Sequence, residues 1–404
     1  MMIKFSPPRI DEKIIAEVTD SLKSGWITTG PKTKLLEKKV TEFCGNKISL
    51  CVNSATAGLE LVLRWFGVKE GDEVIVPVYT YCATANVVVH CGATPVFVDV
   101  NSDDFNINIE EIRKKITSRT KAIIPVDFAG FPCDYDEIND LVKSNEIKSM
   151  FNAENKNQKL LGRILILADA AHSMGAIYKN KVSGSLTDIS VFSFHAVKNL
   201  TTAEGGAIAF NLPENFNHEE VYKYFNALSL HGQSKDALAK FQVGGWKYDI
   251  LFAGYKSNMP DLLAAIGLIE IERYKSDTLV RRKEIFEAYS IGLGDKKWAE
   301  IPLFETDSKL SSFHVYPLRI KGISEEQRDK IINKIFEKEV SVNVHFQPLP
   351  LLTVYKNLGY KIEDYPVALD NYSREISLPV YYDLQDFEIE IVIGAVIQSV
   401  EEII

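Results

Sequence analysis

Lys198 stands in the segment Ser193-Phe194-His195-Ala196-Val197-Lys198-Asn199, after one apolar run and before Thr201-Thr202-Ala203-Glu204-Gly205-Gly206, which leads into another. A lysine in a turn between two strands that read as buried needs a partner or a purpose, because an unpaired buried cation is costly. Pyridoxal phosphate (PLP) supplies such a purpose, since a lysine amine condenses with its aldehyde and is held as an imine. Taken alone, the residue fits a turn lysine pointing into water equally well. Asp169 shifts the balance. It ends the run Arg163-Ile164-Leu165-Ile166-Leu167-Ala168-Asp169, 29 residues before Lys198. A carboxylate at the end of a parallel strand lies where α/β ligands bind, and PLP needs one to keep its pyridine nitrogen protonated. A helix N-cap aspartate is the plainer alternative. His172, in Ala170-Ala171-His172, fits support of Asp169 or of a ring, and fits a core histidine as well.

An anion has a candidate cradle in Asn53-Ser54-Ala55-Thr56-Ala57-Gly58, where small and hydroxyl residues join a strand to a helix. Backbone N–H groups and the helix dipole face outward at such a junction. Serine and threonine also begin ordinary helices. Tyr81 is placed to stack on a ring, or to fill a core.

The elements that must position these residues follow from hydrophobic patterning. Strands are expected at Ile48–Val52, Glu73–Pro77, Pro95–Asp99, Lys121–Val126, Arg163–Asp169, Ile189–Phe194 and Gly206–Phe210, with helical stretches from Thr56 to Phe66 and from about Ala83. Continuous apolar strands separated by helix-length segments predict an α/β fold with a mostly parallel sheet covered on both faces. Residues 143–158 are polar and read as a surface excursion. A longer helix is expected over 258–274, with Asn258 as its cap, Pro260 in its first turn, and Leu262, Ile266, Ile269 and Arg273 at helical spacing. Beyond it, helices and shorter strands (Val315 to Ile320, Val340 to Val344) predict a smaller α+β domain. The expected division is a large domain over 1–257 and a linking helix with the smaller domain over 258–404.

The chain has 404 residues, 46% of them hydrophobic and 25% charged, enough for two domains with sizeable cores. A formal charge of −9 is spread without acidic or basic blocks and argues against nucleic-acid or anionic-membrane partners. No signal-like run and no apolar stretch of roughly 20 residues is present, so a cytoplasmic location is expected. The five cysteines lack C-x-x-C spacing and the seven histidines are scattered; reduced thiols and no metal site are expected.

In order and spacing these motifs resemble the DegT/DnrJ/StrS family of sugar aminotransferases, within the fold-type-I PLP enzymes. The likeness covers nearly the whole chain. Its marks include Gly30-Pro31, Asn53 to Ala57, Asp169-Ala170-Ala171-His172, Ser193 to Asn199, Glu204-Gly205-Gly206, Gly254-Tyr255-Lys256-Ser257-Asn258-Met259 and Leu378-Pro379. The resemblance implies that Lys198 is the Schiff-base lysine and that Asp169 pairs with the pyridine nitrogen. It implies that Tyr81 packs on the ring, that Ser54, Ala55, Thr56 and Ser193 surround the phosphate, and that His172 contacts the cofactor. Asn258 would reach the phosphate of the neighbouring subunit in a homodimer with shared sites. His314, Tyr316 and His345 would line the sugar side of the cleft, with ordinary packing as the alternative for each.

The implied activity moves an amino group from an amino acid, glutamate in the family, to a nucleotide-linked keto-sugar for amino-sugar and surface-polysaccharide synthesis. Position C4 is expected over C3 from the likeness of residues 231–237 and 254–261 to the C4-acting branch. Two departures stand out: Ala55 where the family often has glycine, and the polar segment 143–158, which looks like an insertion. Two rivals remain beside a C3-acting enzyme. A related dehydratase carries histidine where Lys198 stands, and a PLP-binding regulator would keep the cofactor residues without turnover.

Overall fold

The strands of the first half are β1 (Ile48–Val52), β2 (Glu73–Pro77), β3 (Thr94–Val98), β4 (Thr120–Ile123), β5 (Leu165–Asp169), the two-residue β6 (Ile177–Tyr178) and β7 (Lys181–Val182), β8 (Ile189–Ser193) and β9 (Gly206–Phe210), and apart from β6 and β7 they are apolar and largely buried on both faces. The computed structural model of the chain describes residues 2–235 and 247–404. All but β6 and β7 join one sheet in the order β1-β9-β8-β5-β4-β2-β3. β9 runs antiparallel to both its neighbours, and the other pairings are parallel. The expected mostly parallel sheet is therefore present. Alternation along the strands sends Val52, Val74, Leu167, Val191 and Ile208 into one core, and Cys51, Ile75, Ala168, Phe192 and Ala207 to the opposite face.

Four helices precede or follow the first strands: α1 (Glu12–Ser24), α2 (Pro31–Cys44), α3 (Ala55–Phe66) and α4 (Ala83–His90). The expected linking helix is found at Asp261–Arg273, with Pro260 in the cap position and no side-chain cap. Asn258 is thus not its cap. Its buried face carries Ala264, Gly267, Leu268 and Ile271, while Leu262, Ile266 and Ile269 are half-buried. Small residues allow close approach to α2. A Cβ on Gly267 would lie 2.8 Å from Leu36 Cδ2.

Asp261 opens that helix and caps another. Its buried carboxylate accepts hydrogen bonds from the N–H groups of Gly30 (2.7 Å), Lys32 (3.0 Å) and Thr33 (2.9 Å), the otherwise orphaned donors at the start of α2.

The smaller sheet is β10 (Ala299–Glu300), β12 (Tyr316–Ile320) and β13 (Glu375–Leu378) in the order β10-β12-β13, while β11 (Lys309–Leu310) pairs with β6. Its core gathers from Ile285 onward and includes Ile3 of the N-terminal segment. The linking helix instead packs in a core with α2, and Leu349, Tyr355 and Tyr372 pack back onto the large domain. No strand forms over 340–344. Val340 bridges only to Ile3 and Asn343 only to Ser377, because two different neighbours divide the segment.

The polar stretch 143–158 is not a loose excursion. It carries two short helices, Asn145–Met150 and Lys156–Leu161. Asn155 and Gln158 each donate a side-chain N–H to the Phe66 carbonyl at 2.9 Å, and Asn157 donates to Trp65 O at 2.8 Å. These amides satisfy the open carbonyls at the end of α3.

Replacing Asp261 with Ala leaves several buried donors without an acceptor. The loss should be about 3 kcal/mol of stability. Urea unfolding followed by circular dichroism measures it; an unchanged midpoint would rule out this capping role.

Candidate active site

Parallel neighbours end on the same edge of a sheet, and this topology assembles the site. β1, β2, β5 and β8 all finish on one edge, so the loops after them converge there, where β9 begins. Asp169 is the last residue of β5. Its backbone N–H donates to Pro125 O (2.9 Å), and the following Ala170 N–H donates to Val191 O (2.9 Å), which holds the strand end between its two neighbours. Lys198 lies in the β8–β9 connection. That connection is closed by Phe194 N–H to Gly205 O (2.9 Å), Thr202 N–H to Phe194 O (2.8 Å) and Lys198 N–H to His195 O (2.9 Å).

Lys198 and Asp169 line one cavity of about 510 Å³. Burial holds the Lys198 amine down to about 8, and the charge of Asp169 opposes this only in part. Burial likewise pushes the Asp169 carboxyl upward, against the Thr84 hydroxyl, the Ala171 N–H and Lys198. Thr84 Oγ1 donates to Asp169 Oδ2 at 2.8 Å, Ala171 N–H reaches Oδ1 at 3.3 Å, and the Thr80 hydroxyl stands 2.9 Å from that of Thr84.

Ser54, Ala55 and Thr56 form another wall. Ser54 Oγ caps α3 by accepting from Ala57 N–H at 3.1 Å, while the N–H groups of Ala55 and Thr56 open the helix with no preceding turn to bind them. Ala55 begins α3 and is absent from the residues with positive φ, so its backbone does not require glycine. Gly206 does need to be small: a Cβ there would lie 2.8 Å from Ala55 N. Ser193 lines the cavity and Tyr81 stands exposed at its rim, with its ring 5.9 Å from that of Phe346.

Four histidines line the cavity: His195 is exposed, and His172, His314 and His345 are set deeper. His172 and His314 pack with ring centroids 4.4 Å apart, and His345 stacks on Phe5 at 5.6 Å. Burial first, then the charge of Lys198 among their neighbours, holds all three well below the usual histidine range, His345 at about 3. They are neutral rings near pH 7. His314 Nδ1 lies 2.8 Å from Asn199 Oδ1, and His345 Nδ1 lies 2.8 Å from Ser377 Oγ. His172 Nδ1 is buried with no hydrogen-bond partner among the described residues.

Two expected residues stand elsewhere. Tyr316 is fully buried in the smaller domain's core against Phe286 and Tyr289, with its hydroxyl 3.0 Å from Ser290 Oγ; it shares with Leu318 and Ile320 the face of β12 that packs this core, while His314 lies before the strand begins. Asn258 does not line this chain's cavity, and its amide donates to Thr29 Oγ1 at 2.5 Å. Of the segment likened to the C4-acting branch, Asp236 and Ala237 lie outside the described residues. Contributors that sequence reasoning missed include Thr84, Phe5, Ser6 and Phe346. Thr84 had a faint signal in its nearness to Tyr81. Phe5 and Ser6 had none, since only folding brings the N-terminus across the cleft.

The residues present fit PLP. A buried carboxylate, a buried amine of lowered pKa, a helix start with free N–H groups and an unpartnered imidazole nitrogen converge on one cavity of suitable size. Asp169 would hold the pyridine nitrogen, the start of α3 with Ser193 the phosphate, and Lys198 the aldehyde carbon. Among the described residues no helix is long and apolar enough to cross a membrane, and no cluster of three His, Cys, Asp or Glu side chains is set to hold a metal.

The profile of the DegT/DnrJ/EryC1/StrS aminotransferase family matches residues 8–155 and 159–397. The spore coat polysaccharide biosynthesis protein SpsC of Bacillus subtilis is 36% identical over 398 residues, covering 98% of this chain and 96% of SpsC. Spr1654 of Streptococcus pneumoniae, a protein assigned to the sugar aminotransferases, matches in its PMP form with TM-score 0.96, 46% identity and full coverage of both chains. Its PLP form matches at TM-score 0.95. Helicobacter pylori PseC, an aminotransferase involved in the biosynthesis of pseudoaminic acid, matches at TM-score 0.86 and 27% identity with full coverage of both chains.

An amine is nucleophilic only as the free base. A lysine lowered from 10.5 to about 8 therefore gains reactivity as pH rises through about 8, below which it is a cation. Trinitrobenzenesulfonate labelling of cofactor-free protein, with Lys198 followed by peptide mass spectrometry, should show that midpoint. A midpoint near that of surface lysines would contradict the buried setting.

Proposed function

Because this chain belongs to the DegT/DnrJ/EryC1/StrS aminotransferase family, we propose that it moves an amino group from L-glutamate to C4 of a nucleotide-linked keto-sugar, toward a surface polysaccharide. It is a PLP-dependent transaminase of the sugar aminotransferase kind. The observation that carries the reading is the facing of Lys198 and Asp169 across one cavity. PLP, when bound, supplies an electron sink for a carbanion at the amine-bearing carbon. Lys198, with its amine at about 8, is matched to taking a proton from that carbon and returning it near neutral pH. Asp169, steadied by Thr84 and Ala171, holds a negative charge where the ring nitrogen would sit. Its burial makes that charge stronger toward a cation than it would be in water.

The acceptor wall suits a hydroxyl-rich ring. His314 and His345 offer neutral imidazoles there, and Phe5 and Phe346 offer apolar faces. SpsC is named for polysaccharide biosynthesis, which supports a surface sugar as product. The C4 assignment rests on the likeness, in sequence, of residues 231–237 and 254–261 to the C4-acting branch. Regiochemistry is set by how the pocket turns the sugar, because Lys198 and Asp169 serve either position.

A homodimer with shared sites is part of the proposal. Asn258 serves no role in its own cavity, and Leu262, Ile266 and Ile269 form a half-buried apolar stripe on the helix that follows it. An isologous interface through this region forms two equivalent sites. A cytoplasmic location accords with a nucleotide-linked substrate.

Replacing Asp169 with Ala should lower turnover on the order of 10²–10³-fold. Lys198→Ala should abolish the visible absorbance that glutamate bleaches, and an unchanged spectrum and rate would sink the mechanism. Matched 3-keto and 4-keto nucleotide sugars, offered with glutamate and read by NMR of the product, test the position. Turnover of the 3-keto compound alone would show the C4 assignment to be wrong.

Subunit exchange tests the shared site. Mixing Lys198→Ala protein with an impaired Asn258 variant should restore part of the activity, and a fully active monomer in sedimentation would contradict the dimer.

A further inference from the structure

We propose that Asn199 is a positioning residue that fixes the tautomer of His314, so that Nε2 of this ring faces the substrate as a bare hydrogen-bond acceptor for a sugar hydroxyl. The identity of the substrate in this statement rests on the sugar aminotransferase reading; the tautomer does not.

The donor and acceptor roles along Ser312, Asn199 and His314 are forced one after another. The carbonyl of Ser312 can only accept, so the Asn199 side-chain group 2.7 Å from it is the amide NH₂. That orientation turns Asn199 Oδ1 toward His314, with Nδ1 2.8 Å away. An amide oxygen can only accept as well, and two lone pairs at this distance would repel. His314 Nδ1 therefore carries the hydrogen. A neutral imidazole has one N–H, which leaves Nε2 unprotonated.

The surroundings keep the ring neutral and in place. Burial comes first, followed by the neighbouring His172 and the positive charges of Lys198 and Arg282, and all of these disfavour a second proton. Arg282 donates to the carbonyls of Phe313 (2.8 Å) and His314 (2.7 Å), anchoring the backbone that carries the ring. Asn199 itself is buried and adjoins Lys198. One amide thus joins the turn that carries the reactive amine to the segment that carries His314.

A bare Nε2 has a definite selectivity. It accepts from a hydroxyl or an N–H and repels an anion, so His314 is suited to the sugar ring and unsuited to the pyrophosphate of a nucleotide carrier. Asn199 touches no substrate in this scheme; its effect passes through His314.

The test needs no variant to begin. Wild-type holoprotein labelled with ¹⁵N in its histidine rings should show His314, identified by the signal missing from His314→Gln, with hydrogen on Nδ1 and a bare Nε2 near neutral pH. Hydrogen on Nε2, or a doubly protonated ring, would overturn the proposal. Asn199→Ala should shift His314 toward a mixture of tautomers and raise KM for the sugar about tenfold, the scale of one hydrogen bond, with a smaller change in kcat. In a His314→Ala background the same substitution should cost nothing more; additive losses would mean that Asn199 acts independently. If no keto-sugar is turned over, the sugar reading fails, while the wild-type spectrum still decides the tautomer.

Discussion

A buried amine and a buried carboxylate that face one cavity constrain most of this structure. Each charge alone would be costly in an apolar interior, and burial moves both toward neutrality. Their attraction offsets only part of that cost, so the site holds a reactive amine and an under-compensated carboxylate together. Such an arrangement persists when the scaffold is rigid enough to impose it and a ligand has use for it. Here the scaffold is a sheet whose neighbouring strands β5 and β8 run parallel, placing Asp169 and the Lys198 connection on the same edge.

The remaining walls serve that pair. Thr84 and Ala171 supply hydrogen bonds that favour the ionised form of Asp169, and the start of α3 supplies free N–H groups for an anion. Gly206 lets β9 pass close to that helix start, where any side chain would fill the space. The histidines stay neutral because they share a buried space with Lys198. They can therefore donate or accept hydrogen bonds without adding positive charge beside the amine.

The smaller domain is bound to the site as well as to itself. Its His314 segment is held to the Lys198 turn by Asn199, and Phe5 of the N-terminal segment stacks on His345. Asp261, at the head of the linking helix, supplies the acceptor for the N–H groups at the start of α2. The side-chain amides of Asn155, Asn157 and Gln158 supply donors to the open carbonyls at the far end of α3. These two helix ends are closed by side chains from distant segments, which couples elements that pairing alone would leave independent.

The sequence alone determined the seven strands of the large sheet, their burial on both faces, and the motifs around Lys198, Asp169 and Ser54-Ala55-Thr56. Local physics writes those signals: apolar runs of strand length, a charge where none should be, small hydroxyl residues before a helix. It also misled where one residue type fits two settings. Asn258 looked like a helix cap, yet the helix begins at Asp261; Tyr316 looked like a cleft residue, yet strand alternation turns it into the core. The inward face of the linking helix includes the small Ala264 and Gly267, which allow close approach to α2, and no hydrophobicity pattern reports that. Only the tertiary structure decided that Phe5 lies across the cleft, that Thr84 bonds Asp169, and that Asn199 meets His314 across 115 residues of chain. Those contacts are set by how parallel strands share an edge and how two domains close upon it, and a linear pattern of residue types carries no record of either.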